Sequence, residues 1–320
     1  MAEPTSFVST AKENVVISAG SCAVTVLPQF GGKSASIVWK GHELLQAPLR
    51  TIAPRSETMA FDSGDASGWD ECLPSVAACT VDVGDDSAEI PDHGDLWRVG
   101  WDEINGNGNS IRLRGRCFSL PLELERSLTL AETGTSHRLR VEYKLTNVGK
   151  AAVPWSWAAH PLFTASAGDR IVLPPTVSSL RVEGSGRNRL GQSGETVSWP
   201  VAKIAGGGEA DLSVAETAES GVGDKLFAGP LAPMENWCAL ERPSTGVRIR
   251  VAFDPSENPY LGLWICYGGW PEGSGPQQKC EALEPCTAPV DSLAKNGPWS
   301  RTLKAGKSAH WAMAVDLESI

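Results

Sequence analysis

Five short segments of the sequence carry side chains able to hold or move a proton. They are G-W-D-E-C-L-P at 68–74, P-D-H-G-D-L-W at 91–97, W-S-W-A-A-H-P-L-F at 155–163, G-V-G-D-K-L-F at 221–227 and C-E-A-L-E-P at 280–285. Together they offer His93, His160, Asp70, Glu71, Asp224 and Glu284 in aromatic or glycine-rich surroundings. Histidine is scarce in this chain, five in 320 residues, while tryptophan is plentiful at twelve. An imidazole and a carboxylate make an acid–base couple. A glutamate near its unperturbed pKa of ~4.3 accepts a proton at neutral pH, and a histidine near ~6.5 donates one where an acidic groove stabilises the imidazolium. Trp69 and Trp97 offer flat apolar faces beside such groups.

Each of these residues also has a purely structural reading. His160 sits in an aromatic run where a histidine is usually a satisfied core residue, and His93 beside Gly94 shapes a turn. Glu284 before Pro285 ends a strand and faces water, as most glutamates do. Asp224 in G-x-G-D accepts turn N–H groups, Asp70–Glu71 is a solvated acidic pair, and the tryptophans are core. His42 and His137 keep structural readings. The sequence has no G-x-G-x-x-G before a helix, no Walker loop, no G-x-S-x-G and no H-E-x-x-H, which argues against a nucleotide fold and the common hydrolase elbows. His93, His160 and Glu284 have no metal-ligand spacing, which weakens a metal reading.

The elements that must position these groups are strands. In L-E-L-E-R-S-L-T-L, Leu122, Leu124, Leu128 and Leu130 share one face, and in H-R-L-R-V-E-Y-K-L, Leu139, Val141, Tyr143 and Leu145 do the same. N-V-V-I-S, C-A-V-T-V-L, S-I-R-L-R-G-R, V-R-I-R-V-A-F and Y-L-G-L-W-I-C-Y read likewise, and period-two alternation with β-branched and aromatic residues marks half-buried strands. No long helical period competes; Ala205–Ala218 is the most helix-tolerant piece, and Arg181–Gly194 reads as a long loop. The 33 glycines and 22 prolines punctuate the whole chain. No fixed repeat or low-complexity linker divides it. The expectation is all-β: one large antiparallel β-sandwich domain over 1–320.

A formal charge of −10 argues against nucleic-acid or anionic-membrane partners. The first fourteen residues carry acids and no apolar run, unlike a signal peptide, and no stretch has the apolar length of a membrane helix. Eight cysteines without C-x-x-C or zinc spacing fit reduced thiols, hence a cytoplasmic protein.

The ordered set of segments resembles the aldose 1-epimerase, or galactose mutarotase-like, family. P-D-H-G-D-L-W is similar to that family's H-G motif, and G-W-D-E-C-L-P to the segment before it. A-A-H-P-L-F resembles the strand bearing the catalytic histidine, G-D-K-L-F the aspartate motif, and A-L-E-P the motif of the base. V-T-V-L-P-Q-F-G-G-K-S-A-S-I is similar to the family's first hairpin. The resemblance covers nearly the whole chain. It implies a mutarotase-like supersandwich and anomer interconversion of a hexose or related sugar without a metal or organic cofactor; the chain is expected as a monomer or homodimer with a small-molecule sugar as its partner. It assigns His160 as general acid, Glu284 as general base, and His93 and Asp224 to sugar hydroxyls, with Trp69, Asp70 and Trp97 at or near the wall of the site. Two departures stand out: Ala159 precedes the catalytic histidine where asparagine is common, and the family's sugar-binding arginine has two candidates, Arg50 and Arg55.

The chemistry follows from the reaction. A cyclic hemiacetal opens when its anomeric hydroxyl loses a proton while the ring oxygen gains one, and it recloses on the other face after rotation about C1–C2. A base and an acid in reach contribute about 10²–10⁴-fold each. Two rival expectations remain. A glycoside hydrolase or lyase on the same sandwich would use two carboxylates, Asp70 or Glu71 with Glu284. A carbohydrate-binding protein would keep the groove without turnover. A phosphorylated sugar would call for clustered cations, for which Arg181, Arg187 and Arg189 are candidates.

Overall fold

The computed structural model describes residues 14–320. The opening segment that argued against a signal peptide lies, but for its last residue, outside the described residues.

Alternation dictates the architecture. The strand Leu122–Thr133 buries Leu122, Leu124, Leu128 and Leu130 and turns Glu123, Glu125 and Thr129 outward. Its neighbour Ser136–Asn147 does the same with Leu139, Val141, Tyr143 and Leu145. These two pair along their full lengths in an eight-stranded antiparallel sheet. A larger, eleven-stranded sheet runs in the order Val15–Ala19, Cys22–Leu27, Lys33–Trp39, Trp69–Cys72, Ala158–Thr164, Lys279–Cys286, Tyr260–Tyr267, Val222–Ala228, Ser179–Ser185 and Thr196–Ser198, with His42–Glu43 beside the third strand. The apolar faces of the two sheets make a shared core, with Val24, Ile37, Leu226, Leu263 and Leu283 from one side and Leu124, Val141, Ile249 and Val315 from the other. Among the described residues the only helices are three-residue 3-10 turns. None of these helices is long or apolar enough to cross a membrane. The eight cysteines are free thiols.

One position breaks the leucine face. Arg126 points into the core at 1 % exposure. A buried charge is tolerated only when paired, and its partner is Glu71, which accepts from Arg126 Nη1 (2.9 Å), Tyr143 Oη (2.9 Å) and Trp157 Nε1 (2.8 Å). This corrects the expectation of a solvated Asp70–Glu71 pair. Both lie in the strand Trp69–Cys72, near the middle of the large sheet, so one faces each way and both are buried. Asp70 is held instead by Lys33 Nζ at 2.5 Å.

The most helix-tolerant segment forms no helix, and one further expectation, the loop at 181–194, is corrected. Within 205–218 the chain turns through Gly206, Gly207 and Gly208, all with φ near +90°, and then pairs Glu209–Asp211 with Val201–Lys203. A glycine run at positive φ cannot start a helix. The segment 181–194 opens as sheet, because Arg181 and Val182 belong to the strand Ser179–Ser185. His137 is structural: it is 2 % exposed and accepts from Trp39 Nε1 at 2.9 Å.

Candidate active site

Five adjacent strands of the large sheet carry the site on the face turned away from the core. His160 is the cross-strand partner of Asp70. The flanking pairs Ala158↔Cys286 and Leu162↔Ala282 set His160 abreast of Glu284. Glu284 in turn opposes Gly262, and Lys225 opposes Trp264. Because side chains alternate at period two, these registers put Asp70, His160, Glu284, Trp264 and Lys225 on one face. The same rule sends Trp69, Glu71, Glu281 and Asp224 to the other.

Loops complete the groove. His93 occupies the left-handed region at φ +58°, followed by Gly94 at +69°. A side chain at 94 would meet the Leu73 carbonyl at 2.2 Å, so this loop docks against the strand end only with glycine there. The turn presents the His93 ring, stacked on Phe61 (centroids 3.7 Å, planes 8° apart) and edge-on to His160 at 5.2 Å. His93 Nδ1 lies 2.8 Å from Asp92 Oδ2.

The resulting cavity is about 280 Å³, just under the ~300–1,000 Å³ typical of ligand sites. His93, His160, Lys225, Asp92 and Asp291 supply its polar groups, and Phe61, Trp264 and Trp270 its flat apolar walls. Trp264 is fixed by its Nε1 donating to Gln278 Oε1 at 2.8 Å. Glu284 lies beneath the wall at 0 % exposure. Its Oε2 accepts from Lys225 Nζ, and its Oε1, without a donor, stands 3.9 Å from His160 Nε2.

The electrostatics follow from this burial. Desolvation raises the Glu284 carboxyl above its ordinary range, and the Lys225 ammonium opposes that rise. His160 is driven well below the usual imidazole value, first by burial and then by electrostatic repulsion from neighbouring His93, Lys225 and Lys33. Lys225 is held above its ordinary value: burial works against its charge, but Glu284 and Asp291 outweigh that cost. Burial also raises Asp291.

The expected site residues therefore divide. His93, His160 and Glu284 converge. Asp224 does not: on the opposite sheet face from Lys225, its carboxylate is taken by Ser185 Oγ and by Arg189, which also holds Glu216 at 3.0 Å. Trp69 is buried in the inter-sheet core. Trp97 stands behind Phe61, edge-on at 5.2 Å, so it supports the wall without forming it. Asp70 faces the right way but is buried against Lys33. Arg55 is bound to Asp65 at 2.6 Å, and Arg50 donates to the Asp62 carbonyl at 2.9 Å; neither lines the cavity. Lys225, Trp264, Trp270 and Asp291 were not expected. The signal for Lys225 lay in G-D-K-L-F, since adjacent strand residues cannot both face one groove. Among the described residues no three His, Cys, Asp or Glu side chains stand together as a metal site requires.

No protein-family model matches the sequence, and no curated protein matches it. Solved structures do. The Slr1438 protein from Synechocystis sp. PCC 6803 superposes with a TM-score of 0.70 at 16 % identity, over 100 % of both chains. A putative aldose 1-epimerase from Escherichia coli K12 gives 0.68 at 17 %, over 96 % of this chain and 99 % of its own. A galactose mutarotase-like protein from Lactobacillus casei ATCC 334 gives 0.67 at 18 %, over 95 % and 100 %. The fold is that of the galactose mutarotase-like proteins. In the terms of that fold, the groove lies on the outer face of the larger sheet, and its floor is the five strands that carry Asp70, His160, Glu284, Trp264 and Lys225.

Proposed function

We propose that this protein is an aldose 1-epimerase-like isomerase that interconverts the anomers of a small sugar without a cofactor, using Glu284 and His160 as its proton-transfer pair. The observation that carries this reading is the adjacency of the two groups, 3.9 Å apart at the floor of a monosaccharide-sized cavity. The anomeric and ring oxygens share one carbon, so a pair this close can address both at once.

The opposed pKa shifts suit the reaction. Ring opening takes a proton from the anomeric oxygen and gives one to the ring oxygen; reclosure reverses both. A pair that holds one proton between its members serves both directions. Burial raises Glu284 and lowers His160, which moves their proton affinities toward each other and eases transfer between them. In this reading His93 and Asp92 take hydroxyls at the rim, and Trp264, Trp270 and Phe61 receive the C–H faces of the ring.

The hydrolase alternative loses the partners named for Glu284: Glu71 is in the core and Asp70 is tied to Lys33. The arginines named for a sugar phosphate are elsewhere. Arg181 is bound to Glu183 and Arg189 to Asp224, and the cavity wall carries no arginine. A second reading, sugar binding without turnover, is favoured by one observation, the cap that Lys225 places on Glu284. Two-dimensional NMR exchange on a panel of hexoses, free and 6-phosphorylated, separates the readings. Accelerated exchange of an unphosphorylated hexose supports the isomerase. Sugar-dependent shifts in the protein with no accelerated exchange would leave the binding protein.

A further inference from the structure

Lys225 stands between Glu284 and the cavity. Its Nζ donates to Glu284 Oε2 and lies 3.8 Å from Asp291 Oδ1. Lys225 and Asp291 line the cavity, whereas Glu284 is 0 % exposed. Gly262, on the strand between those of Glu284 and Lys225, leaves room for this contact, since a Cβ there would come within 2.9 Å of Oε2 and 3.2 Å of the Phe227 ring. An incoming hydroxyl therefore meets the ammonium before it meets the carboxylate. Asp291 Oδ1 has no hydrogen-bond donor, so a second anion waits within one rotation of the lysine stem. A lysine suits two partners in turn, since its ammonium is a compact charge with three donors on a flexible chain.

We infer that Lys225 is a positioning residue for the reaction proposed above, on which this inference rests. It caps Glu284 while the cavity is empty, and it transfers to Asp291 when a sugar hydroxyl takes its place on the carboxylate. The charge count, one ammonium between two carboxylates, is the same before and after. No bond is made or broken, and the base is released only where a hydroxyl is present to use it.

Two readouts test this. The titratable groups facing the Lys225–Glu284 pair are His160, Asp70 and Cys72 from neighbouring strands, Cys286 from Glu284's own strand, and His93, Asp92 and Asp291 from the loops. All of them remain in Lys225→Met and in Lys225→Gln, the latter keeping an N–H donor should the methionine variant fold poorly. The first readout is the titration midpoint of Glu284 by carboxyl ¹³C NMR, assigned with Glu284→Gln and needing no activity. Loss of the ammonium should raise it by about 1–3 units, and the low-pH limb of the anomerisation rate should move up with it. A midpoint unchanged in both lysine variants would overturn the cap. The second readout is Asp291→Asn, in which kcat should fall about tenfold with little change in KM, because the ammonium lacks its second anchor. Wild-type kcat in that variant would overturn the transfer. If no hexose anomerises in the wild type while the midpoint still shifts, the isomerase reading fails and the cap stands on the NMR result alone.

Discussion

Glu281 and Glu284 lie three residues apart on one strand and face opposite ways, and Glu281 gives the sharper test of how burial sets stability here. Glu281 is 1 % exposed between the sheets. Tyr267 donates to its Oε1, and Oε2 has no partner. Burial pushes its carboxyl from 4.5 up to about 7; Asp169 adds to that, while the Tyr267 hydrogen bond and Arg242 resist it. Below the unfolded value both states hold the proton, and the group costs nothing. As pH rises from about 4.5 to about 7, the unfolded chain releases its proton while the folded one keeps it, so stability falls throughout that window and then levels. At about 1.36 kcal/mol per unit, the loss is on the order of 3 kcal/mol. Glu281→Gln keeps an acceptor for Tyr267 and removes the ionisation. Urea unfolding followed by tryptophan fluorescence should find the variant gaining on the wild type from pH 5 to pH 7.5, toward that figure. Groups shared by the two proteins cancel in the difference. Parallel stability curves across the window would refute the reasoning.

Three other outcomes follow from the placement of side chains. Asp224→Asn should leave sugar affinity unchanged and cost on the order of 1–3 kcal/mol in urea unfolding, because Ser185 and Arg189 lose their charged acceptor. His93→Asn, by contrast, should raise the hexose Kd in calorimetry with a smaller effect on turnover, since its ring lines the cavity. Trp264→Ala should weaken hexose binding on the order of tenfold, about 1.4 kcal/mol, through loss of an apolar wall.

Much of this was legible in the sequence, and the failures share a cause. The strands showed through because leucines and valines at period two, as in Leu122–Leu130, can be buried in only one way. His160 and Glu284 were singled out because the H-P-L-F and L-E-P segments resemble a known family, and the registers set them abreast. The period that revealed the strands was not applied to the polar residues. In G-D-K-L-F the aspartate drew attention, yet Leu226 belongs to the core, so Asp224 beside it in phase turns inward and Lys225 turns out. The same rule would have sent Trp69 inward and Trp264 outward. Registers, in contrast, could not be read locally. That Glu71 meets Arg126, or that Asp291 reaches Lys225, depends on strands and loops far apart in sequence. Phe61 and Trp270 lie in glycine- and proline-bounded loops with no period to read.

The central claim is that Glu284 and His160 move the protons of a sugar hemiacetal. The most direct measurement is the rate at which a pure hexose anomer equilibrates, above the uncatalysed background, with Glu284→Gln set beside the wild type. Glutamine keeps the shape and cannot accept the proton. The account predicts a fall on the order of 10²-fold or more in Glu284→Gln with hexose binding retained, and the same in His160→Asn. A Glu284→Gln protein that equilibrates the anomer at the wild-type rate would contradict it.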